Sequence, residues 1–189
     1  MNVNMAAAFL LLALFFFKGL GQPDRQRWVP AFFMSGLISL AFGLHMSFTW
    51  PMPSVYNIAF GELSVLLGAI LIGGAWALNR NADLMPISAY AFVAGIAPVF
   101  VGITFITQGI SSEPVLTGLG VIGAGAVGIL AFPMAYFYER NPGLSRSLQL
   151  LMALLALVLT FFFAYSGYTG YADHLGSESF QGWRPPYAR

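Results

Sequence analysis

Tyr56-Asn57-Ile58-Ala59-Phe60-Gly61-Glu62-Leu63-Ser64-Val65-Leu66-Leu67-Gly68-Ala69-Ile70-Leu71-Ile72-Gly73-Gly74-Ala75-Trp76 holds one strongly ionisable side chain, the carboxyl of Glu62. A helix rises about 1.5 Å per residue, so roughly 20 apolar residues cross a hydrocarbon core. The stretch therefore reads as a transmembrane helix with a carboxyl inside it. Just upstream, Trp28 to Trp50 repeats the pattern with His45 as its only ionisable group. An ionisable side chain within a span is by default a functional-site hypothesis.

Composition extends this reading to the whole chain. Of 189 residues, 58% are hydrophobic and only 8% are charged, against roughly 25% charged in an average soluble domain. So few charges cannot make a water-facing surface, which must instead meet lipid or other protein. A net charge of +1 argues against nucleic acid as a partner, because phosphate binding needs clustered Lys and Arg. The absence of cysteine excludes disulfides, thiolate metal sites, iron-sulfur clusters and cysteine nucleophiles. With His45 the only intramembrane histidine, a bis-His haem within the chain is excluded too. A haem held by one histidine, a quinone site, or a metal held by His45 and Glu62 stays open.

The expected fold is all-α, an integral membrane bundle of about six transmembrane helices in residues 1–171, with a polar and aromatic tail over 172–189. The spans are read as Val3–Phe17, Trp28–Thr49, Asn57–Leu78, Ile87–Gln108, Val115–Tyr138 and Ser147–Tyr168. Short connections with turn chemistry, such as Pro51-Met52-Pro53 and Asn141-Pro142-Gly143, make successive helices antiparallel neighbours. The first span reads as retained: no Lys or Arg precedes it, and Lys18-Gly19-Leu20-Gly21 lacks a small-x-small cleavage pattern. Lys18, Arg25, Arg27, Arg80, Arg140 and Arg146 fall in loops one, three and five, while loops two and four have neither Lys nor Arg. The positive-inside rule then puts those basic loops in the cytoplasm of a cell-membrane protein, with both termini outside.

This topology brings His45 and Glu62 to one depth, in the outer half of adjacent antiparallel helices, where a hydrogen bond or ion pair between them is sterically reasonable. At 100° per residue Glu62 shares a stripe with Leu66, Ala69, Gly73 and Trp76. The small residues Ala69, Gly73 and Ala77 suggest close packing there, so the carboxyl is expected to face protein. An outer polar pocket is the sharp reading, with Glu62, His45, Asn57 and Gln108 as its members and Tyr56 and Tyr165 beside them. The bland reading has these groups satisfying one another and anchoring helix ends. Gly120, Ala124 and Gly128 form a second packing seam; it is not a phosphate loop, since nothing basic follows. Pro98 and Pro133 fall inside helices and are expected to bend them. The methionines are scattered, and His174 beside Asp173 is a lone tail histidine.

Tyr56-Asn57-Ile58-Ala59-Phe60-Gly61, after a Pro-rich turn, resembles a Tyr-Asn-x-x-Phe-Gly element of an uncharacterised archaeal and bacterial membrane family, catalogued only as a domain of unknown function. The resemblance implies a small polytopic protein and carries over no catalytic residues. Small size, short loops and small-residue seams at Gly73 and Gly120, suited to other membrane subunits or to self-association, favour an accessory or structural subunit of a larger membrane complex, respiratory, photosynthetic or membrane-oxygenase. The alternative is a transporter or channel using Glu62 as a proton- or cation-sensitive site. A membrane redox or metal enzyme is the third class.

Overall fold

Apolar stretches that cannot hydrogen-bond to lipid satisfy their backbone internally, as helices. The computed structural model describes residues 1–52 and 55–175. It contains α1 (Asn2–Leu14), α2 (Val29–Thr49), α3 (Leu63–Asn79), α4 (Met85–Gln108), α5 (Pro114–Arg140) and α6 (Pro142–Leu175). A π-helical turn, Phe15–Gly19, prolongs α1; another, Asn57–Glu62, leads into α3. Among the described residues there is no strand. Prolines near the first positions start α2, α4 and α5, where a missing N–H leaves nothing unsatisfied. Five helices are long and apolar enough to cross a membrane, and the first, Asn2–Lys18, is apolar but shorter. The expectation of about six spans thus becomes five full-length candidates and one short helix, in a multi-pass membrane protein. α6 continues to Leu175, so the expected tail begins helically; Trp183 and the rest of it, like the side chain of His174, lie outside the described residues.

Each helix packs on its neighbours in sequence and α6 returns to α1, so the six stand in a ring. Contact is most extensive within three pairs, α2 with α3, α4 with α5 and α6 with α1, and slight between α3 and α4. One end of the ring carries Met1, the end of α6 at Leu175 and the loop 109–113, with Met52 and Tyr56 beside them. The other, the basic end, carries the loops with Lys and Arg.

Two of the pairs are built alike. Gly36 and Gly43 on α2 meet Gly68 and Gly61: a Cβ at Gly68 would come within 2.8 Å of the Gly36 carbonyl oxygen, and one at Gly43 within 2.8 Å of that of Gly61. On α4 and α5 the same reciprocity joins Gly95 to Gly125, at 2.6 and 2.5 Å, and Gly102 to Gly118. Only hydrogen fits at these crossings, so the backbones touch, the mode of association that lipid favours. The four segments, Gly36–Gly43, Gly61–Gly68, Gly95–Gly102 and Gly118–Gly125, share a Gly-x6-Gly spacing. They form a tandem repeat of hairpins in parallel orientation.

The third pair relies on side chains. Phe9 stacks on Phe163 with ring centroids 5.4 Å apart. The Asn2 amide donates to the Ser166 hydroxyl at 2.9 Å, and the Asn4 amide to Ser39 of α2 at 2.9 Å. At the basic end, buried Ser145 donates to the Met134 carbonyl at 2.9 Å, and Arg146 reaches the Phe17 carbonyl at 3.2 Å. The ring encloses apolar space lined by α1, α3, α4, α5 and α6.

Gly73 and Gly120, the expected seams for association with other chains, are used within this one. A Cβ at Gly73 would meet Ile87 of α4 at 2.7 Å, and Gly120 lies against the ring of Phe162 on α6. Both glycines thus take part in packing within the chain.

Candidate functional site

The segment Tyr56–Gly61 closes the Met1 end of the ring, and four of its residues have distinct tasks. Asn57 is 1% exposed. Its Oδ1 accepts from the Met52 N–H at 3.0 Å and its Nδ2 donates to the Met52 carbonyl, fastening the 50–56 turn to the start of the helix. The Tyr56 hydroxyl donates to the Ile110 carbonyl, tying that turn to the α4–α5 loop. Its ring lies parallel to Phe60, 5.9 Å away, and Phe60 lies 5.6 Å from Phe105, which is fully buried. Phe60 also lines the ring interior. Gly61 makes the helix crossing, where a Cβ would meet Cβ of Met46 at 3.0 Å. Asn57 and Tyr56 are thus brought together as a clamp and aromatic plug.

His45 and Glu62 have a different placement. Gly43 packs on Gly61 and Val65, and Gly61 on Met46 and Ser47, so the two ionisable residues stand at one level. Both, however, are exposed on the outside of the ring. Neither side chain takes part in a hydrogen bond or ion pair among the described residues; the His45 carbonyl accepts from the Thr49 hydroxyl at 2.8 Å. His45 is two positions from Gly43 and from Ser47, which face α3, and so points roughly 200° of helix away from that contact. The expectation that Glu62 faces protein within its own chain is corrected. The buried face of α3 runs through Gly61, Ser64, Gly68, Leu71 and Ala75, about 140° from Glu62. Glu62 shares its outer stripe with Ile58, 46% exposed, and Trp76, 63% exposed. The small residues Ala69 and Gly73 marked the margin toward α4, and the denser glycine seam lay one residue over.

Gln108 is exposed at the end of α4, and Tyr165 is 63% exposed on α6; neither joins Asn57 or Tyr56 in a pocket. As a candidate metal pair, His45 and Glu62 do not converge with any third ligand: among the described residues no three His, Asp or Glu gather. The sequence reading missed Phe60 and Phe105 as the plug. Their signal was a Phe one helical turn after Tyr56, on the same face. Trp28 Nε1 is a buried polar atom with no acceptor among the described residues, in a ring packed edge-on against Phe15 at 5.8 Å.

No curated protein and no solved structure matches the chain. The family described as "Protein of unknown function (DUF981)" matches residues 1–177, nearly the whole helical region, including the Tyr-Asn-x-x-Phe-Gly element through which the sequence resembled an uncharacterised family. The chain belongs to the DUF981 family.

Proposed function

We propose that this protein is a non-catalytic accessory or structural subunit of a larger membrane complex, of the respiratory, photosynthetic or membrane-oxygenase kind, docked along the exterior of α2 and α3. The observation that carries this reading is the outward placement of His45 and Glu62 at one level of the spanning region, with no partner for either side chain among the described residues. Ionisable residues within spans normally face a bundle interior or one another, because facing lipid costs about 2.5–3.5 kcal/mol even on insertion scales. A second protein surface offering hydrogen-bond partners, framed by apolar contacts at Ile58 and Trp76, removes that cost. The carboxyl of Glu62 has too short a stem to reach far toward the headgroups, unlike Lys or Arg.

The transporter or channel reading based on Glu62 has less support. Glu62 lines neither of the two cavities inside the ring, both of which are walled by apolar side chains. The redox or metal reading has less support as well, because His45 and Glu62 point away from a shared centre.

Native-gel electrophoresis of gently solubilised source membranes tests the proposal. The wild-type chain is expected to migrate in a species several times its 20.4 kDa mass. The double variant His45→Ala, Glu62→Gln should shift to the monomer while keeping its helical circular dichroism. A wild-type chain found only as a monomer would overturn the reading.

A further inference from the structure

We propose that the interior of the ring binds a single apolar chain bearing a zwitterionic head, with the chain in the lumen and the head in a polar vestibule at the basic end. This does not rest on the exterior docking surface, because none of its residues lies there.

Two apolar cavities and a polar vestibule adjoin one another in a row. An upper cavity of about 130 Å³ and a lower one of about 100 Å³ share Leu12, Phe16, Ile70, Ala91 and Ala131 as walls. The lower cavity in turn shares Leu20, Leu84, Met134 and Ala135 with a vestibule of about 420 Å³. Along α1 the lining runs from Met5 to Leu20, roughly 20 Å at 1.5 Å per residue. A cavity of about 150 Å³ holds one benzene ring. A lumen this long and this narrow therefore suits one extended hydrocarbon chain and not a fused ring system. Its walls are Phe, Leu, Ile, Met, Val, Ala, Gly and Pro, with a single serine, so ions and sugars would be desolvated there without compensation. Tyr56, Phe60 and Phe105 plug the far end, which makes the vestibule the place for a polar group.

The vestibule contains two cations and two anions: Arg25, Arg140, Asp83 and Glu139. Two of them are engaged. Asp83 Oδ1 accepts from the Met85 N–H at 2.9 Å, and Arg140 donates to the Tyr136 carbonyl at 3.1 Å with its guanidinium 4.2 Å from the Tyr136 ring centroid. Arg25 and Glu139 have no hydrogen bond or ion pair among the described residues. One unengaged guanidinium and one unengaged carboxylate complement a head with a phosphate and an ammonium. The guanidinium fork matches phosphate oxygens, and the carboxylate accepts from the ammonium.

The test uses the full chain in phosphatidylcholine vesicles with a lysophosphatidylethanolamine that carries a diazirine midway along its tail. After irradiation, peptide mass spectrometry is expected to find saturable label on Phe16, Ile70 or Ala91. Gly74 borders the lower cavity and a Cβ there meets nothing within 4 Å. Gly74→Leu should therefore fill the lumen and reduce that label at least fivefold without loss of helical signal. Label confined to exterior residues such as Phe48, Phe100 and Phe161 would overturn the proposal. For the head, unlabelled lysophosphatidylethanolamine should compete at least tenfold better than a fatty alcohol of equal length, and Arg25→Gln should abolish the difference. Equal competition by both in the wild-type chain would overturn the assignment of the vestibule, even if Gly74→Leu failed to fold.

Discussion

Asn57 holds the backbone N–H and carbonyl of Met52 with the two ends of one amide, at a site only 1% exposed. Alanine would remove both hydrogen bonds to Met52, which is itself 44% exposed, at a net cost of about 0.5–1.5 kcal/mol each. Asn57→Ala is therefore expected to lower unfolding stability in mild detergent by about 1–3 kcal/mol, and Asn57→Asp by less, because Oδ1 can still accept. Equal stability of all three chains in equilibrium unfolding would remove the clamp from the account. At this scale sequence and structure diverge instructively. The motif pointed to Tyr56 and Asn57 and gave no hint that both serve closure. Glu62 was readable as an anomaly and its level could be estimated from chain length. Its direction could not, because two small-residue stripes lie about 100° apart on one helix and either could be the packed face.

On the scale of helices, the Gly-x6-Gly segments decide which neighbours touch most closely. A side chain at Gly125 would meet the Gly95 carbonyl oxygen at 2.5 Å and Val99 Cγ2 at 2.8 Å, and backbone cannot swing aside as a side chain can. Gly125→Val is expected to separate α4 from α5 and sharply reduce the yield of folded protein. Gly170→Ala, where a Cβ meets nothing within 4 Å, should be neutral or stabilising by up to about 1 kcal/mol through helix propensity. Yield of monodisperse protein in size-exclusion chromatography distinguishes the two; equal yields would show that the crossing tolerates side-chain bulk. The helices themselves were legible from apolar run length, and their boundaries were read within a few residues except in α6. The shared glycine spacing was present in the sequence and unread, since four-residue small-x-x-x-small patterns drew the eye first. A seven-residue spacing returns to almost the same face after two turns, about 20° short, and so marks two contact points along one crossing.

The assembled ring combines features that run length and loop charge could supply with one that they could not. Short loops dictate antiparallel neighbours, which gives the sequential order; closure of α6 onto α1 depends on contacts such as Phe9 with Phe163 that have no local signature. Loop charge supports a proposal for the membrane orientation of the ring. The basic loops all lie at one end, and loops two and four carry no Lys or Arg, so on the positive-inside rule we propose that the basic end faces the cytoplasm. The absence of cysteine makes this open to a clean measurement. Ser112 and Gln22 are both exposed, in loops at opposite ends. In intact cells a membrane-impermeant maleimide is expected to label Ser112→Cys and to leave Gln22→Cys untouched until the membrane is opened. The reverse pattern would invert the molecule. It would turn the vestibule with Arg25 and Glu139 outward and place His45 and Glu62 in the cytoplasmic half. Any ligand entering the lumen would then come from the opposite aqueous face, so the labelling result fixes the side from which the ring interior can be approached.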